Sequence, residues 1–140
     1  MDDRHEVNWQ PLSMVPTISD MVADALADSR EHVLTLMAAL DRPYSLADED
    51  LDRSHRVYTE QLEFVGIYTG QIARWRAVEL SADQRQVIDR IDADNAELLP
   101  LTWQVLALVE TLRGSTIEAM MKMTDLELGI DAVMRGTAKP

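Results

Sequence analysis

From Thr17 to Leu40 the apolar positions return at steps of four and three: Val22, Leu26, Val33, Leu36 and Leu40, with the small Ser29 in phase. This is the 3.6-residue period of an amphipathic helix. Met21, Ala25 and Met37 widen the stripe. Asp20, Asp24 and Asp28 lie near its start, the end of a helix that favours anions. Asp41-Arg42-Pro43 stops it. A second helix, capped by Ser45 and reaching about Val78, spaces Leu51, Tyr58, Val65 and Ile72 by one heptad, with His55 and Leu62 in the adjoining column. Glu49–Arg53 and Asp52–Arg56 are i, i+4 pairs in its first turns. Gly66 and Gly70 weaken it by up to ~1 kcal/mol each but permit the close approach of a neighbour.

Ser81-Ala82-Asp83-Gln84 matches a capping box and opens a third helix. One of its columns is Ile88, Asn95, Thr102 and Val109, and the next is Ile91, Leu98, Val105 and Leu112. A seven-residue repeat of this length predicts coiled-coil-like packing against another long helix. Pro100 falls inside it, and the repeat continues in phase on both sides, so a kink is expected rather than a stop. After Arg113-Gly114-Ser115, a second capping-box match at Ser115–Glu118 opens a last helix, from about Thr116 to Met134. Whether Gly114 makes a reversal or a bend stays open.

These segments predict an all-α fold: an elongated antiparallel helical bundle, with a long hairpin of helices two and three plus two shorter helices. The long pair are each roughly 45–50 Å by their residue count. A joint of about two residues forces them antiparallel. The first helix is expected to pack back along the second. Residues 1–16, with Pro11 and Pro16 and no sustained period, read as a flexible N-terminal arm; 17–135 form a single helical-bundle domain, and 136–140 a frayed tail.

Composition narrows the function more than it changes the fold. The 140 residues carry a formal charge of −12, which repels phosphate backbones and anionic lipid, so neither nucleic acid nor membrane insertion is expected. No cysteine is present, which removes thiol catalysis and thiolate metal sites. The acidic start MDDRHEVNWQ has no basic, apolar leader pattern, and the expected location is cytoplasmic.

Candidate chemistry is sparse. The three His form no paired metal motif and no Gly-rich phosphate loop exists, so no enzymatic activity and no cofactor are expected. One alternative is a metal-binding or phosphotransfer regulator: His32 and His55 flank the turn between the first two helices at similar height, with Asp28 and Asp52 beside them, a set that could hold zinc. Asn95 and Thr102, polar at core-like heptad positions, are candidates for fixing register or oligomer state. The last helix is apolar over much of its circumference. Ile117, Met121, Thr124 and Leu128 make one stripe, while Met120, Met123, Leu126, Ile130 and Met134 cover much of the rest. Such a helix is either sandwiched in a core or offers an adaptable face to a partner, and the pattern allows both.

The long amphipathic hairpin, further short helix and apolar C-terminal segment, together with Asp92–Leu99 (DADNAELL) and its apolar continuation to Leu112, resemble flagellar type III export chaperones of the FlgN family. The likeness spans about residues 19–134 and is one of pattern. It implies a small non-catalytic chaperone that holds the C-terminal helix of a hook-associated protein, here along Ile117–Met134. The sequence departs from that pattern in its well-capped, Met-rich last helix. The functional expectation is therefore a protein-binding adaptor or chaperone-like bundle that captures an amphipathic helix and forms a homo-oligomer; the remaining alternative is a purely structural homo-oligomer.

Overall fold

The computed structural model describes residues 7–138, and all four expected helices form: α1 Val15–Leu40, α2 Asp48–Arg76, α3 Ala82–Leu112 and α4 Ile117–Ala138. Short 3₁₀ turns at Leu12–Met14 and Arg113–Ser115 precede α1 and α4. Each long helix buries the column its spacing marks. Leu51, Tyr58, Val65 and Ile72 are buried in α2, as are both heptad columns of α3 from Ile88 to Leu112. In α1 the stripe runs inward from Val22 to Leu36, but Ala39 rather than Leu40 faces the core in the last turn.

Three apolar layers set the topology. One joins Val15, Ile18 and Val22 to Ile72, Trp75, Ile88 and Ile91. The middle one is Leu26, Val65 and Leu98. The third joins Val33, Leu36 and Ala39 to Leu51, Tyr58, Val105 and Val109. Residue numbers rise together in α1 and α3 and fall in α2, so α1 and α3 run parallel and α2 antiparallel to both. The closest backbone neighbour of α1 is α3, not α2, along which it was expected to pack; α1 and α2 both lie against α3 and meet each other through side chains. The heptad columns of α3 are wide enough to serve two neighbours, and that is how they are used.

The helix boundaries shift where tertiary contacts compete. The third helix starts as expected, with Ser81 Oγ accepting from Gln84 N–H at 3.1 Å and Gln84 Oε1 accepting from Ser81 N–H at 2.9 Å. It remains one helix through Pro100. The second does not start from a Ser45 cap. Tyr44 to Leu46 are held against the Ser115–Ile117 segment, through Tyr44 N–H to Ser115 O at 2.6 Å and Ile117 N–H to Leu46 O at 2.8 Å. Helix can begin only beyond that tether. Ala47 is the cap, and Asp50 Oδ2 accepts its N–H at 3.0 Å, the half of a capping box an alanine permits.

The N-terminal segment also differs from the expected arm. Val15 and Pro16 already belong to α1, with Pro16 in the first turn where its missing N–H costs nothing. Residues 7–14 are docked. Gln71 Oε1 accepts from Gln10 N–H at 2.6 Å, while Trp75 Nε1 donates to Gln10 O at 3.0 Å. The Trp9 ring lies on Gly70, where an added Cβ would meet it at 2.8 Å, and Arg74 covers the ring at 4.2 Å from its centroid. Residues 1–6, and 139–140 of the expected frayed tail, lie outside the described residues; helix continues through 136–138.

Candidate protein-docking site

The start of α4 is fixed by the loop between α1 and α2. Besides the backbone pairs at Tyr44 and Leu46, Glu118 Oε2 accepts from Asp48 N–H at 2.7 Å. Thr116, fully buried, caps the helix through Ala119 N–H to Thr116 Oγ1 at 3.1 Å. The expected Ser115–Glu118 capping box is therefore replaced. The cap moves one residue on, and the glutamate serves α2 instead of its own helix. Tyr44, held at the left-handed φ of 67°, places its hydroxyl 3.9 Å from Met123 Sδ. Non-glycine residues adopt that backbone conformation only when their surroundings fix it, and here the tether to Ser115 does so.

Beyond this first turn α4 leaves the bundle. It packs on the 3₁₀ turn before it and not along α1, α2 or α3. Ile117, Met120, Met121, Met123, Leu126, Leu128, Ile130, Val133 and Met134 are all exposed, with Met121 at 59%, Leu126 at 65% and Leu128 at 61%. The alternative left open by the sequence is thus decided at the level of the single chain: this helix is not part of its core. Eight of these side chains, from Ile117 to Val133, expose on the order of 100 Å² each, or roughly 800 Å² together. They do not form one patch: at about 100° per residue Ile117, Met121 and Leu128 share one side of the helix, and Met123, Leu126, Ile130 and Val133 the other.

No protein-family model, curated protein or solved structure matches the chain. The site therefore rests on its own geometry.

The histidine constellation does not assemble. His32 Nε2 pairs with Ser54 Oγ at 2.9 Å, and its ring stacks on Tyr58 with centroids 5.2 Å apart. Burial in this setting pushes the His32 pKa down. His55 is exposed, one residue and therefore about 100° round the helix from the inward-facing Ser54. Asp52 is taken by Arg113 at 2.9 Å, and Asp28 is exposed. Among the described residues no three His, Asp or Glu side chains come together as a metal site. His32 and His55 flank the turn as expected, but Ser54 faces His32 in place of His55, because one residue of register turns a helical side chain away from the core.

Asn95 and Thr102 are buried within the chain's own bundle. Asn95 Nδ2 donates to Val65 O at 3.1 Å and to Thr69 Oγ1 at 3.2 Å, while its buried Oδ1 has no hydrogen-bond partner among the described residues. Thr102 Oγ1 donates to Leu98 O at 2.7 Å and accepts from Gln61 Nε2 at 2.8 Å. Gln61 Nε2 also donates to Ser29 Oγ at 3.0 Å. One polar residue from each of α1, α2 and α3 thus meets in a single layer. Sequence reading marked Ser29, Asn95 and Thr102 but missed Gln61, whose partners are dozens of positions away.

Among the described residues, no helix is long and apolar enough to cross a membrane.

Proposed function

We propose that the chain is a non-enzymatic protein-binding adaptor of chaperone type, in which α4 presents an apolar surface to an amphipathic segment of another protein. The observation that carries this is the exposure of the large apolar side chains from Ile117 to Val133 while the first turn of α4 is anchored by Thr116, Glu118 and the Tyr44–Asp48 loop. An anchored start gives the helix a fixed origin, and the exposed side chains from Met120 to Val133 give it something to bind with. Burying its large apolar side chains is worth about 1.5–3 kcal/mol each, so the exposed surface represents on the order of 10 kcal/mol that the single chain leaves unrealised. Methionines, four of them in this segment, adapt to varied partner shapes at low cost. The absence of cysteine is compatible with a reducing, cytoplasmic setting.

The pattern resemblance to flagellar export chaperones supports a narrower form of this reading, in which the occupant is the C-terminal helix of a secreted hook-associated protein. Affinity capture from the native host with wild-type chain and with Met121→Glu and Leu128→Glu variants tests both forms. Partners retained by the wild type are expected to be lost from both variants while far-UV circular dichroism stays unchanged. Identical captured proteins would overturn α4 as the docking face. Capture of partners other than hook-associated proteins would overturn the flagellar form alone.

A further inference from the structure

A second apolar surface lies on the opposite logic of the fold, where the bundle is unfinished. Because α1 and α2 both pack on α3 and not closely on each other, a cleft runs between them. Two adjoining cavities of about 670 and 270 Å³ lie along it and share Met21, Phe64 and Tyr68. Met21 and Phe64 are 52% and 51% exposed, and the Phe64 and Tyr68 rings stack with centroids 6.2 Å apart, forming a continuous apolar floor. The docked segment at Val7–Gln10 borders one end, and the pairing of His32 with Ser54 bridges α1 and α2 beyond the other. Along α2 the lining runs from Val57 to Gln71, roughly 21 Å at 1.5 Å per residue, or about four helical turns.

The rim carries the specificity. Glu60 and Glu63 line the cavities from α2. On α1, Asp24 and Asp28 follow Met21 and Ala25 at i+3, the spacing that puts side chains on one edge of a helix. All four carboxylates are exposed, and among the described residues no Arg or Lys lines either cavity; Arg56 stands one turn before Glu60 in sequence, and Arg74 lies over Trp9. We propose that this α1–α2 groove docks a cationic amphipathic helix of a partner protein, its apolar face on Met21, Phe64 and Tyr68 and its basic flanks against the acidic rim. Charge decides against a second copy's α4 as the occupant. That helix carries Glu118, Asp125, Glu127 and Asp131 against Lys122 and Arg135, a net −2 facing an acidic rim. The molecule's overall −12 also speeds the approach of a basic ligand and repels an acidic one. This surface is independent of α4, so either can fail alone.

Fluorescence anisotropy with a labelled model peptide tests the assignment on the full chain. The probe is an amphipathic helix of about 15 residues, long enough for the groove, with Leu at helical spacing on one face and Lys on the other. Saturable binding is expected, weakened by added salt. A peptide with the same Leu pattern but Glu for Lys should bind at least about tenfold more weakly. Phe64→Glu and Met21→Glu, both at half-exposed positions, should each weaken the Lys peptide by a similar factor, whereas Met121→Glu should leave it unchanged. Phe64→Glu adds negative charge, so association by charge alone would tighten in that variant, and such tightening would overturn the groove. Equal binding of the Glu peptide would overturn the basic occupant. Loss of binding in Met121→Glu alone would move the site to α4. Light scattering completes the test: a dimer that Phe64→Glu dissociates would make a second copy the occupant and overturn the proposal.

Discussion

Gln61 is the residue on which the three-helix register turns. Half-buried at the edge of the α1–α2 cleft, it donates from one amide nitrogen to Ser29 of α1 and Thr102 of α3. A buried hydrogen bond contributes only about 1 kcal/mol net, but leaving its partners unsatisfied costs about 1–3 kcal/mol. Slipping any one helix by a residue would break the layer, so it selects one alignment more than it stabilises it. His32 sits one turn beyond Ser29 and gives the bundle a pH response. Burial lowers its pKa below the ordinary value near 6.5, so the unfolded chain takes up a proton at a higher pH than the folded one. Stability is therefore expected to fall as pH drops from about 6.5 toward the depressed value, and to be level above it for this group. Denaturant unfolding at both ends of that window, in wild type and His32→Gln, checks this. The variant should lose less stability on acidification, and an equal loss would mean that His32 protonates as easily in the folded chain.

Among the elements, α2 shows how one residue type serves two purposes. Its glycines at 66 and 70 are one helical turn apart and look equivalent in sequence. Gly66 has nothing within 4 Å of where a Cβ would stand, whereas at Gly70 that atom would meet the Trp9 ring at 2.8 Å. Gly66→Ala is accordingly expected to stabilise the chain by up to ~1 kcal/mol through helix propensity. Gly70→Ala should gain in the helix but push Trp9 off α2, which limited proteolysis near residues 7–10 and a red shift of tryptophan emission would report. Unchanged proteolysis would mean that Trp9 is held by something other than contact with Gly70. The caps teach the same lesson. The Ser81–Gln84 box was legible and forms; the Ser115–Glu118 box was equally legible and does not, because Glu118 accepts from Asp48 N–H and Thr116 takes the cap.

At the scale of the molecule, three helices make a core and the fourth is launched from it. Local stability follows contact, so the amides of α4 beyond its tethered first turn should exchange with solvent far faster than those of the buried face of α3. Hydrogen-exchange mass spectrometry on the isolated chain checks this, and comparable protection in α4 would show that it is covered, by itself or by another copy. The α1–α2 cleft is the complementary irregularity, a place where a fourth helix of a bundle would ordinarily lie. Periodicity alone determined that the chain is helical, where its four segments lie and which columns of α2 and α3 are buried, because burial of an apolar stripe is a local demand that repeats every turn. Tertiary structure alone decided that α1 and α3 are the close pair, that Ser54 and not His55 faces His32, and that Gln61 joins Ser29 to Thr102. It also decided that α4 stands outside the core and that a cleft opens beside Phe64. Each of those depends on which faces of separate helices meet, and a one-residue change of register, invisible in a repeating pattern, turns a side chain from core to solvent.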